Sequence, residues 1–178
     1  MIVLASRSAA RIALLTEAGL DVVADAADLD ERAAEAAIAG APPGEVALYL
    51  AEAKAKAVAL RHPGSLVVGA DQTLDLDGER FDKAASVAAA AGQLARLRGR
   101  IHRLSSAVVV VREGATLWRH VGEARLTMRD FSDRFLSGYV AACGEELTAT
   151  VGGYRLEGRG VQLFEAIDGD HFTILGLP

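Results

Sequence analysis

The chain has 178 residues, a formal net charge of -5, 51% hydrophobic residues and 24% charged residues. This describes one folded domain, 1–178, with material for a full core, and it excludes a disordered chain. The acidic balance argues against a nucleic-acid coat or a membrane-surface protein, but it leaves room for a nucleotide in a locally basic pocket.

Ile2–Ala5 reads as a first short strand. Arg7 interrupts this apolar start too early for a signal peptide. Ser6-Arg7-Ser8 then leads into a helix with Ile12, Leu14, Leu15 and Ala18 at helical spacing up to Gly19. Either serine suits the N-cap. A helix N-terminus attracts phosphate, and Arg7 and Arg11 add charge; plain capping with two surface arginines explains the same residues. Val22–Ala26 reads as a second strand. Asp28, Asp30 and Glu31 then crowd three acids together. They suit either a hard divalent cation or the acidic first turn of a helix over Asp30–Ala39.

Pro43-Gly44 opens a helix whose expected apolar stripe is Val46, Leu50, Ala53, Ala57 and Leu60. Lys54 and Lys56 flank that stripe. Either reaches the edge of the core, or both extend to water. Leu66–Asp71, LVVGAD, is a short β-branched run that reads as a strand buried on both faces. Gly69 permits a turn or a close approach. Asp71 is then expected at the carboxyl end of the strand, where open α/β sheets bind ligands. Burial there raises a carboxylate's pKa, which suits a general base. The plainer alternative is that Asp71 caps the turn that follows.

Asp77-Gly78 is a hairpin signal. Phe81-Asp82-Lys83 precedes a helix over Ser86–Arg98, with Val87, Ala90, Leu94 and Leu97 inward and Gly99 as its stop. Ile101–Val111 and Thr116–Thr127 read as long strands joined at Glu113-Gly114. Ser132 caps a further helix, with Phe131 and Leu136 as a hydrophobic staple. That helix is expected to bury Phe135, Leu136, Tyr139 and Val140. Cys143 is the only cysteine, which excludes an internal disulfide and suits a reducing, cytoplasmic setting. No apolar run approaches the roughly 20 residues of a membrane span. The glycine-dense end, with Arg155, Glu157, Arg159, Asp168 and Asp170 interleaved, reads as a site or as tight turns between short strands. His62, His102, His120 and His171 lack metal-ligand spacing.

Taken together, these stretches resemble the Maf family of nucleotide pyrophosphatases. LASRSAAR is similar to L-A-S-x-S-P-R-R, Leu29-Asp30-Glu31 to V-D-E, and LAEAKAKAV to L-A-x-x-K-A-x-A-V. VVGAD is similar to V-I-G-A-D, Phe81-Asp82-Lys83 to G-K-P, and LRGRIH to L-S-G-R-x-H. VGGYRLEGRG and IDGDHFTILGLP resemble A-G-A-Y-x-I-Q-G-x-G and I-x-G-D-Y-x-x-V-x-G-L-P. The matches run in order from end to end.

The resemblance implies an α/β fold, Maf / ITPase-like, with a mixed β-sheet flanked by helices and two lobes with a deep cleft. It implies an enzyme, often a homodimer, with a nucleoside triphosphate as substrate. Cleavage between the α and β phosphates would give a nucleoside monophosphate and pyrophosphate. Asp71 would be the base, and Glu31 and Asp71 would hold a divalent cation, Mg²⁺ or Mn²⁺. Ser6, Arg11, Lys54 and Lys83 would hold the triphosphate. The family's proline and first arginine are Ala9 and Ala10 here, its threonine is Gln72, and its glutamine is Glu157. Ala10, Gln72 and Glu157 are thus the base-specificity positions. Gln72 and Glu157 resemble the subgroup that prefers 7-methyl-GTP over the one that prefers dTTP and UTP, whereas Ala10 matches neither. The family usually continues into a helix beyond G-L-P, and this sequence stops at Pro178, so that helix is either absent or outside the sequence. A nucleotide-binding regulator of septum formation is the alternative from another class. An unrelated α/β domain with purely structural carboxylates is the third.

Overall fold

In the computed structural model, which describes residues 1–178, seven strands form one mixed sheet. They are β1 (Ile2–Leu4), β2 (Val22–Ala24), β3 (Leu66–Leu76), β4 (Glu79–Phe81), β5 (Ile101–Arg112), β6 (Ala115–Met128) and β7 (Phe164–Asp168). The neighbour order is β2-β1-β3-β5-β6-β7, with β4 on β3. β1 runs parallel to β2 and β3, whereas β4 and β7 pair antiparallel with β3 and β6. The helices are α1 (Ala9–Glu17), α2 (Glu31–Ala36), α3 (Pro43–Ala59), α4 (Val87–Leu97), α5 (Asp133–Cys143) and α6 (His171–Leu175).

The chain divides into two compact units. The first comprises Met1–Gln72, Ser105–Glu123 and Asp170–Pro178. Its core joins Val3, Ala5 and Val67 to Ala47, Ala51, Ala55 and Val58 of α3 and to Ala107, Val109 and Val111 of β5. Small side chains let α3 lie close to β3. A Cβ built on Gly69 would sit 2.0 Å from the Ala51 carbonyl oxygen, so only glycine fits there.

This close approach corrects the expected stripe of α3. Val46 and Leu50 are buried as expected, but Ala51, Ala55, Val58 and Ala59 complete the buried face. Ala53 and Ala57 are only half-buried, and Leu60 is 86% exposed. An alanine-rich helix has little hydrophobic contrast, so the fit against Gly69 sets its rotation. The expected end of β3 is corrected too. The strand does not stop at Asp71 but continues to Leu76, and Thr73, Leu74, Asp75 and Leu76 are buried. The turn comes at Asp77-Gly78, with φ of 53° and 86°, which suits a two-residue hairpin into β4. Asp71 therefore lies inside a strand and caps no turn.

The second unit comprises Thr73–Leu104 and Ala124–Gly169. α4 begins at Ser86, whose hydroxyl accepts from Ala89 N–H, and it buries Ala90, Leu94 and Leu97. His102 is buried and its Nε2 lies 2.8 Å from the Tyr154 hydroxyl. Burial lowers the His102 pKa to about 4, with Asp75 opposing. Ser132 caps α5 by accepting from Phe135 N–H. Phe131 meets the ring of Phe135 at 5.4 Å between centroids. Of the four residues expected to be buried in α5, only Tyr139 is; Phe135, Leu136 and Val140 are half-buried. The glycine-dense end forms two short 3-10 turns, the strand β7 and the single-turn helix α6, rather than several short strands.

Candidate active site

The first unit gathers seven of the sequence-selected residues: Ser6, Ala10, Arg11, Glu31, Lys54, Asp71 and Gln72. β1 ends just before Ser6, which is buried. The serine that caps α1 is Ser8; its side chain accepts from Arg11 N–H. Ser6 Oγ in turn accepts from Ser8 N–H at 3.2 Å. The Arg11 guanidinium donates to the Ala70 carbonyl at 2.9 Å, the Gly176 carbonyl at 2.8 Å and Ser6 Oγ at 3.4 Å. These bonds tie α1 to β3 and to the segment after α6. Arg7 is exposed.

Asp71 is 8% exposed. Lys54 Nζ donates to its Oδ1 at 2.6 Å and also meets Glu31 Oε1 at 3.0 Å. Of the two α3 lysines, Lys54 therefore turns to the site, whereas Lys56 stays half-exposed against Glu52. The acidic cluster divides its work: Asp30 caps α2 through Ala33 N–H, and Glu31 reaches Lys54. Burial raises the Asp71 pKa, Lys54 and Arg11 pull it down, and Glu31 raises it; the net direction is up. Burial lowers the Arg11 pKa, with the charges of Asp71 and Glu31 opposing.

The result is two cations and two carboxylates in close array. Such an array can grip an oxyanion with its cations and take a proton from water with its buried carboxylate. No three histidine, cysteine, aspartate or glutamate side chains converge.

The remaining specificity positions have different surroundings. The Gln72 amide donates to Ser106 Oγ at 2.8 Å and lies within 3.1 Å of the Thr173 and Ile174 carbonyls. Ser106 Oγ also donates to the Thr173 carbonyl, at 2.7 Å. Gln72 thus fastens α6 to the sheet. Ala10 is half-buried in the first turn of α1. Lys83 and Glu157 belong to the second unit. Lys83 is exposed just after β4, and Glu157 Oε1 accepts from Arg155 Nε at 2.9 Å. Sequence reasoning missed Ser106 and Thr173 as partners of Gln72. Two serines inside the valine-rich β5 were the available signal.

A family model described as Maf-like protein matches residues 1–178. A 7-methyl-GTP pyrophosphatase of Mesorhizobium japonicum is 53% identical over 179 residues, covering 99% of this chain and 90% of that protein. A nucleoside triphosphate pyrophosphatase of Bradyrhizobium diazoefficiens is 51% identical over 177 residues, covering 99% of this chain and 88% of that protein. A solved nucleoside-triphosphatase, dITP/XTP pyrophosphatase, of Mycobacterium abscessus aligns with a TM-score of 0.43 and 22% identity over 73% of each chain. That last likeness is too distant to weigh.

Proposed function

The chain belongs to the Maf family, and from that premise we propose that it hydrolyses the α–β phosphoanhydride of 7-methyl-GTP, giving a nucleoside monophosphate and pyrophosphate. The observation that carries the reading is the buried Asp71 carboxylate, held by Lys54 and flanked by Arg11 and Glu31. Asp71 takes a proton from water, which attacks phosphorus. Ser6, Arg11 and Lys54 hold the phosphates. Hydrolysis of a polyanion depends on such positioning and charge compensation more than on covalent chemistry.

Glu31 and Asp71 also suit a divalent cation, Mg²⁺ or Mn²⁺. Both offer carboxylate oxygens within 3.0 Å of one Lys54 Nζ. Mg²⁺ is commonly held by one or two carboxylates, with phosphate oxygens and water as the rest. When bound, the ion offsets negative charge on the phosphates. Glu31→Gln is then expected to raise the Mg²⁺ concentration for half-maximal rate roughly tenfold, equivalent to about 1.4 kcal/mol, with excess metal restoring part of the rate. An unchanged Mg²⁺ titration removes Glu31 from the metal site. The reading also takes the protein to be a cytoplasmic homodimer; the lone Cys143 fits a reducing compartment, and the dimer rests on family membership.

Support for 7-methylguanine comes from the relatives of that name at 50–53% identity and from Glu157. A carboxylate accepts hydrogen bonds from guanine N–H groups and offsets the charge of N7 methylation. Pyrophosphate release from 7-methyl-GTP, dTTP and UTP tests this. The expected kcat/KM is highest for 7-methyl-GTP, and Glu157→Gln narrows its lead, because the amide keeps the shape and loses the charge. A wild-type preference for dTTP or UTP overturns the base assignment. No pyrophosphate release from any of the three overturns the enzyme reading.

A further inference from the structure

The second unit carries a pocket of about 420 Å³ between α5 and the 3-10 turn over Arg159–Leu163. Arg134, Phe135, Gly138 and Tyr139 line it from α5, and Arg159 and Gln162 from the turn. No carboxylate lines it. Six arginines elsewhere in this unit meet acids: Arg80 with Asp82, Arg96 with Glu79, Arg98 with Asp133, Arg100 with Asp77, Arg103 with Asp75 and Arg155 with Glu157. Arg134 and Arg159 have no such partner, and neither do Arg125 and Arg129. Asp133, beside Arg134 in sequence, is turned to Arg98. In a chain of net charge -5, two uncompensated guanidiniums on one pocket are an anion-attracting feature.

The pocket also has an aromatic wall. The rings of Phe135 and Tyr139 lie within 13° of parallel, with centroids 6.4 Å apart. Arg129 sits over Phe135 at 5.4 Å and donates to the Gln162 carbonyl at 2.7 Å. Gly138 lies mid-helix, where glycine is costly, yet nothing occupies the space within 4 Å of a Cβ built on it. The pocket is of a size that takes a small molecule. Guanidiniums match phosphate oxygens in pairs, and an aromatic wall suits a planar ring.

We propose that this pocket is a binding site for a phosphorylated small molecule with an aromatic ring, of the nucleoside monophosphate class. Arg134 and Arg159 hold the phosphate, and Phe135 and Tyr139 meet the ring. The proposal rests on the pocket itself and is independent of the hydrolytic reading.

The test titrates the full chain with GMP and follows the backbone amides of Gly138 and Gln162 by NMR, with inorganic phosphate in a parallel series. Saturable shifts at both amides are expected with GMP, at a midpoint at least tenfold below that of phosphate. Arg134→Gln with Arg159→Gln is expected to raise the GMP midpoint at least tenfold. Gly138→Leu, which fills the pocket and leaves both arginines, is expected to do the same, read at Gln162. No saturable shift with GMP, a midpoint equal to that of phosphate, or a midpoint unmoved in both folded variants overturns the proposal. Because these amides report the pocket and not turnover, an enzyme without pyrophosphatase activity leaves the test intact.

Discussion

Asp71→Asn is expected to lower kcat by about 10²- to 10⁴-fold while nucleotide still binds, the range typical of a lost general base. Asparagine keeps the size of the side chain and a carbonyl oxygen for Lys54, which donates to Oδ1 at 2.6 Å in the native site. What it loses is the capacity to take a proton, together with the charge that suits a divalent cation, so the comparison is made at saturating Mg²⁺. Lys54 keeps Glu31 as a partner at 3.0 Å, so the substitution leaves no ammonium stranded. Arg11 remains anchored on the Ala70 and Gly176 carbonyls. The phosphate grip should therefore survive, and KM should move far less than kcat. Steady-state kinetics on 7-methyl-GTP, with a denaturation curve for each protein, checks this. Wild-type turnover in the variant removes Asp71 from the role of base, and an equal loss in kcat and in binding makes it a structural residue.

Gly69→Ala is the second large effect. The added Cβ would fall 2.0 Å from the Ala51 carbonyl oxygen and 2.8 Å from the Ala55 Cβ. The obstacle is helix backbone, which cannot swing aside as a side chain tip can. Either α3 moves off β3 or the strand bends. Overpacking of this kind commonly costs about 1–3 kcal/mol, and a contact this short with backbone should reach at least the upper end. Because α3 also carries Lys54, its displacement should lower kcat as well. Gly92→Ala is the control, since that helical glycine has nothing within 4 Å of a built Cβ. Alanine there should be neutral or stabilising by up to roughly 1 kcal/mol. Urea denaturation of both variants makes the comparison. Equal stability of the two would show that α3 and β3 have slack.

Asp71, Gly69 and Lys54 illustrate how far the sequence was readable. LVVGAD marked a buried strand with a carboxylate on it, and the structure has both. Its end was misread, because Thr73-Leu74-Asp75-Leu76 looked like a polar turn. Buried Asp75 is tolerable in a strand because Arg103 donates to it at 3.2 Å, and that partner lies on another strand. Lys54 and Lys56 could not be separated by periodicity. The Ala51 and Ala55 face is chosen by the space above Gly69, which is a tertiary fact. Gln72 was read for its family position alone. Its bonds reach carbonyls about a hundred residues later, in a helix of five residues too short to register as a pattern. The caps at Ser86 and Ser132 and the Asp77-Gly78 turn were legible because their causes are local.

The segmentation of the first unit has a consequence for synthesis. Both stretches of the second unit are complete before Asp170 is added, whereas the first unit still lacks Asp170–Pro178. Until that segment emerges, Arg11 has no Gly176 carbonyl and Gln72 has no Thr173 or Ile174 carbonyl to bind. Domains fold largely as units while the chain grows. The nested second unit can therefore settle first, and the array around Asp71 is locked only once Asp170–Pro178 has joined it.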